Sequence, residues 1–119
     1  MTFDYIASPY SHKDPNVRTQ RYLEAMKYTA FLMQARIHCF SPIVHCHTMA
    51  ELYSLPKTFE FWKDYDETML SHANCMRLLM LPGWEDSIGI AEEMKICKES
   101  KKTILLISPI EYGTSVLQV

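Results

Sequence analysis

Short β-forming runs alternate along this chain with longer segments of helical spacing, and that alternation restricts it to very few folds. Phe3 to Ala7 is aromatic and β-branched and ends at Ser8–Pro9, which reads as a first strand. Asp14 before Pro15 pairs an N-cap with a first-turn proline. The helix it opens runs to about Arg36, with Leu23, Met26, Ala30 and Met33 as its apolar stripe. A second strand, Ile37 to Ser41, is closed by Pro42. Ile43 to Lys57 has no clear period, is rich in His, Met and Tyr, and reads as a long loop or lid. Thr58 caps a second helix, Phe59 to about His72. Trp62, Asp66, Met69 and Ala73 share one of its faces, and Glu60, Lys63, Asp64 and Glu67 share the other. Cys75 to Leu81 is a third strand, a third helix reaches about Ser100, and Thr103 to Ile107 is a fourth strand. The tail from Pro109 to Val119 is weakly patterned and is expected to pack on a partner.

The order βαβαβαβ calls for a parallel sheet with helices on both faces. The expected fold is α/β: a three-layer, doubly wound (Rossmann- or flavodoxin-like) parallel sheet of four to five strands, with strands 1 and 3 adjacent at a switch point. At 119 residues the chain suits one domain, residues 1–119. A net charge of −2 leaves no electrostatic footprint for duplex nucleic acid or an anionic membrane, although local geometry can still hold a small anion. No apolar run is long enough for a membrane span, and no secretory signal is visible. Cys39, Cys46, Cys75 and Cys97 show no CxxC spacing, so free thiols in a reducing cytoplasm are expected.

The densest chemical signal lies in Leu81 to Glu93, LPGWEDSIGIAEE. Pro82 and Gly83 stop a strand, and a polar turn through Asp86 and Ser87 enters a helix. Free N–H groups at such a helix start, on the carboxyl edge of a sheet, favour anions. Ile90, Met94 and Cys97 mark the apolar stripe, which turns Glu93 inward, while Glu92 joins Lys95 and Glu99 on the solvent side. Asp66 is a second inward carboxylate, beside Trp62 and Met69, where an unpaired charge is costly. It is either a functional group or a carboxyl satisfied within the core.

The pattern S-x-G-x-x-x-E, here Ser87, Gly89 and Glu93, follows a strand and a helix that carries an aspartate. Together with the opening YIASPYS it resembles the nucleoside 2-deoxyribosyltransferase superfamily, including the 2'-deoxynucleoside 5'-monophosphate N-hydrolases. The resemblance spans nearly the whole chain. It implies that Glu93 is a nucleophile attacking C1' of the sugar and forming a glycosyl-enzyme ester. Water or a second base would then resolve that ester, by the logic of retaining glycosidases. Asp66 matches the aspartate that contacts the nucleobase or assists its protonation. The substrate-binding residues implied are Tyr5, Ser8, Tyr10 and His12 at the first strand and loop, with His45, Trp62, Ser87 and Gly89. Serine at position 87, where transferases of free nucleosides tend to carry aspartate, points to a 5'-monophosphate; Ser87 also suits an N-cap.

The sequence departs from that pattern in places. Asn74 stands where a second aspartate is usual, and Asp86 puts negative charge near the phosphate site. The first loop lacks a Gly-rich stretch, so Tyr10, His12 and Arg18 would have to serve. His45-Cys46-His47 has zinc-type donors but no second ligand pair at a recognised spacing, so no metal and no cofactor is expected. A substrate-contacting or lid role suits His45 or His47 better, and the reading of a loop histidine without a role suits any one of them better still. The resemblance implies a nucleotide or nucleoside as partner and self-association into a homodimer or larger homo-oligomer, with Trp84 and the tail around Tyr112 as candidate contacts. The leading expectation is hydrolysis of the N-glycosidic bond of a 2'-deoxynucleoside 5'-monophosphate. The alternatives are base exchange by a deoxyribosyltransferase and a non-catalytic nucleotide-binding module. A salt bridge holding Glu93 away from the pocket would favour the module.

Overall fold

Five strands form one sheet in the order β2-β1-β3-β4-β5 in the computed structural model, which describes residues 1–118. β1 (Asp4–Ala7), β2 (Cys39–Phe40), β3 (Met76–Leu79) and β4 (Ile104–Ile107) run parallel. β5 (Thr114–Val116) pairs antiparallel with β4. β1 lies between β2 and β3, so strand order reverses there, at the expected switch point. The tail therefore forms an edge strand of its own sheet. Tyr112 also packs inward, its ring 4.7 Å from that of Tyr28 and 4.8 Å from that of Phe31. The radius of gyration is 13.4 Å, as expected for a chain of this length folded as one unit.

Strand alternation builds two cores. Tyr5, Ala7, Met76 and Leu78 face α3 (Phe59–His72) and α4 (Ile88–Glu99), where Leu70, Ile90 and Cys97 are buried with them. Ile6, Leu79 and Ile107 face α1 (Pro15–Gln34), meeting Tyr28 and Leu32. Arg77, on that face of a central strand, is held by Asp4 Oδ2 at 2.7 Å and donates to Tyr28 Oη at 3.2 Å. Those two partners satisfy a charge that burial would otherwise make costly.

Two sequence expectations change. The inward face of α1 is Ala25, Tyr28, Thr29 and Leu32, whereas Leu23, Met26, Ala30 and Met33 face outward. Hydropathy favoured the Leu and Met row, but the helix meets the sheet through a small residue and two polar-tipped ones. Thr29 Oγ1 donates to Ala25 O at 2.7 Å and Tyr28 serves Arg77, so neither hydroxyl is left unpaired. Ile43 to Lys57 is also no long loop, because Pro42–Tyr53 is helix α2. Ser41 Oγ accepts from Val44 N at 3.2 Å, and Pro42 takes the first turn. Pro42 thus starts a helix as well as closing β2, repeating the Asp14–Pro15 device. Ser54 ends it in the left-handed region, at φ 56°.

Candidate functional site

Three connections meet at the carboxyl edge of β1 and β3 around a pocket of about 590 Å³. Ser8, Tyr10 and His12 come from the β1–α1 loop, and Gly83, Asp86, Ser87 and Gly89 from the turn into α4. α2 contributes Ile43 and Cys46, and α3 contributes Phe59, Trp62 and Asp66.

Glu93 sits in the pocket lining at 7% exposure, while Glu92 is half-buried outside it, so the helical phase assigned from sequence holds. The phenol of Tyr5, itself fully buried on β1, donates to Glu93 Oε2. Burial pushes the Glu93 carboxyl up to about 8; the Tyr5 hydrogen bond opposes the rise and the charge of Asp66 adds to it. Asp66 reaches about 7 through burial alone, and its Oδ1 is buried without a partner. Tyr5 is pushed well above the ordinary phenol range, first by burial and then by Glu93. The floor is therefore two carboxyl groups that titrate near neutrality. Cys46 is the thiol beside them, and burial followed by the Asp66 charge raises it to about 11, which keeps it protonated and a poor nucleophile.

At the opposite end, Ser87 caps α4 by accepting from Ile90 N at 3.2 Å. Gly89 leaves room for the Phe59 ring, which would lie 3.2 Å from a Cβ there. Ser8 is 7% exposed and its buried Oγ has no partner among the described residues. Trp62 lines the pocket with its Nε1 donating to Pro56 O at 2.8 Å.

The β1–α1 loop is tied down from several sides. Arg21 donates to Ser11 O at 3.0 Å and to Pro82 O at 3.2 Å, linking that loop to the turn before α4. Tyr10 Oη and His47 Nδ1 are 2.6 Å apart, and His47 stacks on Tyr22 with ring centroids 4.2 Å apart. Such anchoring presets the loop before any ligand arrives.

Of the residues expected from sequence, Ser8, Tyr10, His12, Trp62, Asp66, Ser87, Gly89 and Glu93 line the pocket, and Tyr5 reaches it through Glu93. His45 does not. It lies on the outer side of α2, stacked on Tyr65, whose hydroxyl is 3.2 Å from its Nε2. On a helix the three side chains of His45-Cys46-His47 fan apart, so that Cys46 alone reaches the pocket. Among the described residues no group of three His, Cys, Asp or Glu is arranged to hold a metal. Trp84 is half-buried against the core rather than exposed. Sequence reasoning missed Arg21, Cys46, Lys57 and Phe59. Arg21 was legible, since Arg18 and Arg21 share a face in the first turns of α1, beside the loop they hold.

The fold and the pocket define a doubly wound α/β protein with a carboxyl-floored pocket at its switch point. Residues 3–109 match the family described as Domain of unknown function (DUF1937), and the chain belongs to that family. No curated protein matches the chain at a significant level.

Proposed function

We propose that this protein hydrolyses the N-glycosidic bond of a 2'-deoxynucleoside 5'-monophosphate through a covalent glycosyl-enzyme intermediate. The observation that carries the reading is Glu93: buried, aimed into the pocket, held by a phenol, and without a cation partner among the described residues. A buried carboxylate facing the pocket and free of a cation suits a nucleophile.

The chemistry follows from the residues. The Glu93 carboxylate attacks C1', the glycosidic C–N bond breaks, and the carboxyl proton of Asp66 goes to the departing base. Water then attacks C1' of the ester, Asp66 takes its proton, and Glu93 is released with deoxyribose 5-phosphate. Tyr5 stabilises the Glu93 carboxylate when it forms. Trp62 offers apolar surface to the base, and Ser8, Ser87 and the N-terminus of α4 offer donors to the phosphate. The absence of a helix long and apolar enough to cross a membrane, among the described residues, and the four free thiols agree with work in a reducing cytoplasm. Self-association as a homodimer or larger homo-oligomer belongs to the same reading, and size-exclusion chromatography with light scattering tests it.

Free-base release from ribo- and deoxyribonucleosides and their 5'-monophosphates, followed by chromatography, tests the activity. Release from deoxynucleoside monophosphates that disappears in Glu93→Ala and persists in Glu92→Ala is the expected outcome. Release only when a second base is supplied would replace hydrolysis with base exchange. Silence from every substrate, with and without an acceptor base, would overturn both.

A further inference from the structure

The reaction proposed above accounts for the pocket and leaves its neighbour unexplained. An open trough of about 620 Å³ adjoins it, with Ser11, His12, Lys57 and Thr58 as the shared rim. Lys13 and Arg18 complete its polar wall, and no carboxylate among the described residues lines it. Three permanent cations and an imidazole thus gather on one wall of a chain whose net charge is −2. The nearest compensation is weak. Glu51 reaches Lys57 Nζ only at 3.8 Å, and its own side chain is 46% exposed. Arg18 spends one nitrogen on the His12 carbonyl, while its Nε is buried with no partner.

The rim leads to the phosphate end of the pocket. Thr58 precedes Phe59, whose ring packs on Gly89 in the first turn of α4. A phosphate at that helix start would lie across the rim from Lys57, with the exposed Asp86 on the turn just before it. A second phosphoryl group on the first would be drawn toward the cations and away from that carboxylate.

We propose that the trough is a subsite for the outer phosphates of a nucleoside 5'-di- or triphosphate, so that the site takes nucleotides bearing a polyphosphate chain as well as monophosphates. The inference rests on the nucleotide reading of the pocket. A polyphosphate suits the trough better than a nucleic acid strand, because the cations form one short cluster on a chain whose net charge is −2.

Binding of one 2'-deoxynucleoside as its 5'-mono-, di- and triphosphate, measured by calorimetry on the turnover-blocked Glu93→Gln protein, tests the subsite. Inorganic tripolyphosphate and a 5'-phosphorylated dinucleotide are measured beside them. The triphosphate is expected to bind about tenfold or more tightly than the monophosphate, with a steeper loss of affinity in salt. Lys13→Ala and Lys57→Ala should each reduce that preference roughly three- to tenfold. Lys13 is exposed, so its variant should keep the fold, as circular dichroism melts would check. Equal affinity for mono- and triphosphate would overturn the subsite and leave the nucleotide reading intact. Tripolyphosphate binding that depends on Lys13, with no nucleotide bound, would support the trough and overturn the nucleotide reading. A dinucleotide that outbinds the triphosphate would overturn the choice of a polyphosphate chain, and silence from every probe would overturn both inferences.

Discussion

Glu93→Gln should abolish turnover and, at alkaline pH, make the protein more stable. The folded state raises this carboxyl from 4.5 to about 8, chiefly by burial. Below about pH 4.5 folded and unfolded chains both carry the proton, and nothing is lost. As pH rises further the unfolded chain ionises and the folded one does not, so stability falls until the folded group titrates near 8. At ~1.4 kcal/mol per pH unit, the full loss is about 5 kcal/mol, of which about 4 kcal/mol falls between pH 5 and pH 9. Water entering the pocket would lessen that loss, and about 2 kcal/mol is expected to remain observable. Glutamine keeps an oxygen for the Tyr5 phenol and cannot ionise. Its amide N–H costs about 1–3 kcal/mol if unpaired, equally at every pH, and comparison of two pH values removes that cost. Urea unfolding of both proteins at pH 5 and pH 9 is the assay. The variant should gain about 2–4 kcal/mol on the wild type between the two, a shift in Tm on the order of 10 °C. A stability difference that is the same at both pH values would refute the reasoning, because Glu93 would then not be a strained ionisable group.

Turnover needs Glu93 ionised and Asp66 protonated, so rate should rise and then fall with pH, peaking where the pair holds one negative charge, between about 7 and about 8. A plateau reaching down to pH 5 would contradict this. Tyr5→Phe removes the hydrogen bond that favours the Glu93 carboxylate, so kcat should drop roughly 10- to 100-fold, its acid limb moving to higher pH, with little change in KM. A normal pH profile would show the phenol to be packing only. Gly83→Ala forces a Cβ onto a residue at φ 92° and to 2.6 Å from Arg21 Nη2. Loss of about 1–3 kcal/mol in urea unfolding is expected, and a change within ~0.5 kcal/mol would mean that Arg21 is not anchoring the loop.

The fold was legible because its determinants are local. Asp14–Pro15 announces α1, the strand runs are short and apolar, and the stripe Ile90, Met94, Cys97 sets the phase that turns Glu93 inward. The same locality misleads at Pro42, where a strand terminator and a helix initiator are one residue, so that the α2 segment reads as a loop from sequence alone. It misleads again on α1, where Leu23 and Met33 outrank Tyr28 and Thr29 in hydropathy and yet face outward. Burial there depends on whether a hydroxyl finds a partner, and Tyr28 finds Arg77, 49 positions away. The site divides the same way. A helix start after β3 and a carboxylate on its inward face follow from residues close together in the chain. Tertiary structure alone brought the Tyr5 phenol to Glu93 across 88 positions, raised two carboxyl groups toward neutrality by burial, placed Cys46 rather than His45 in the pocket, and gathered Lys13, Arg18 and Lys57 on one wall. Local propensity acts through neighbours along the chain, whereas desolvation and charge pairing act through neighbours in space.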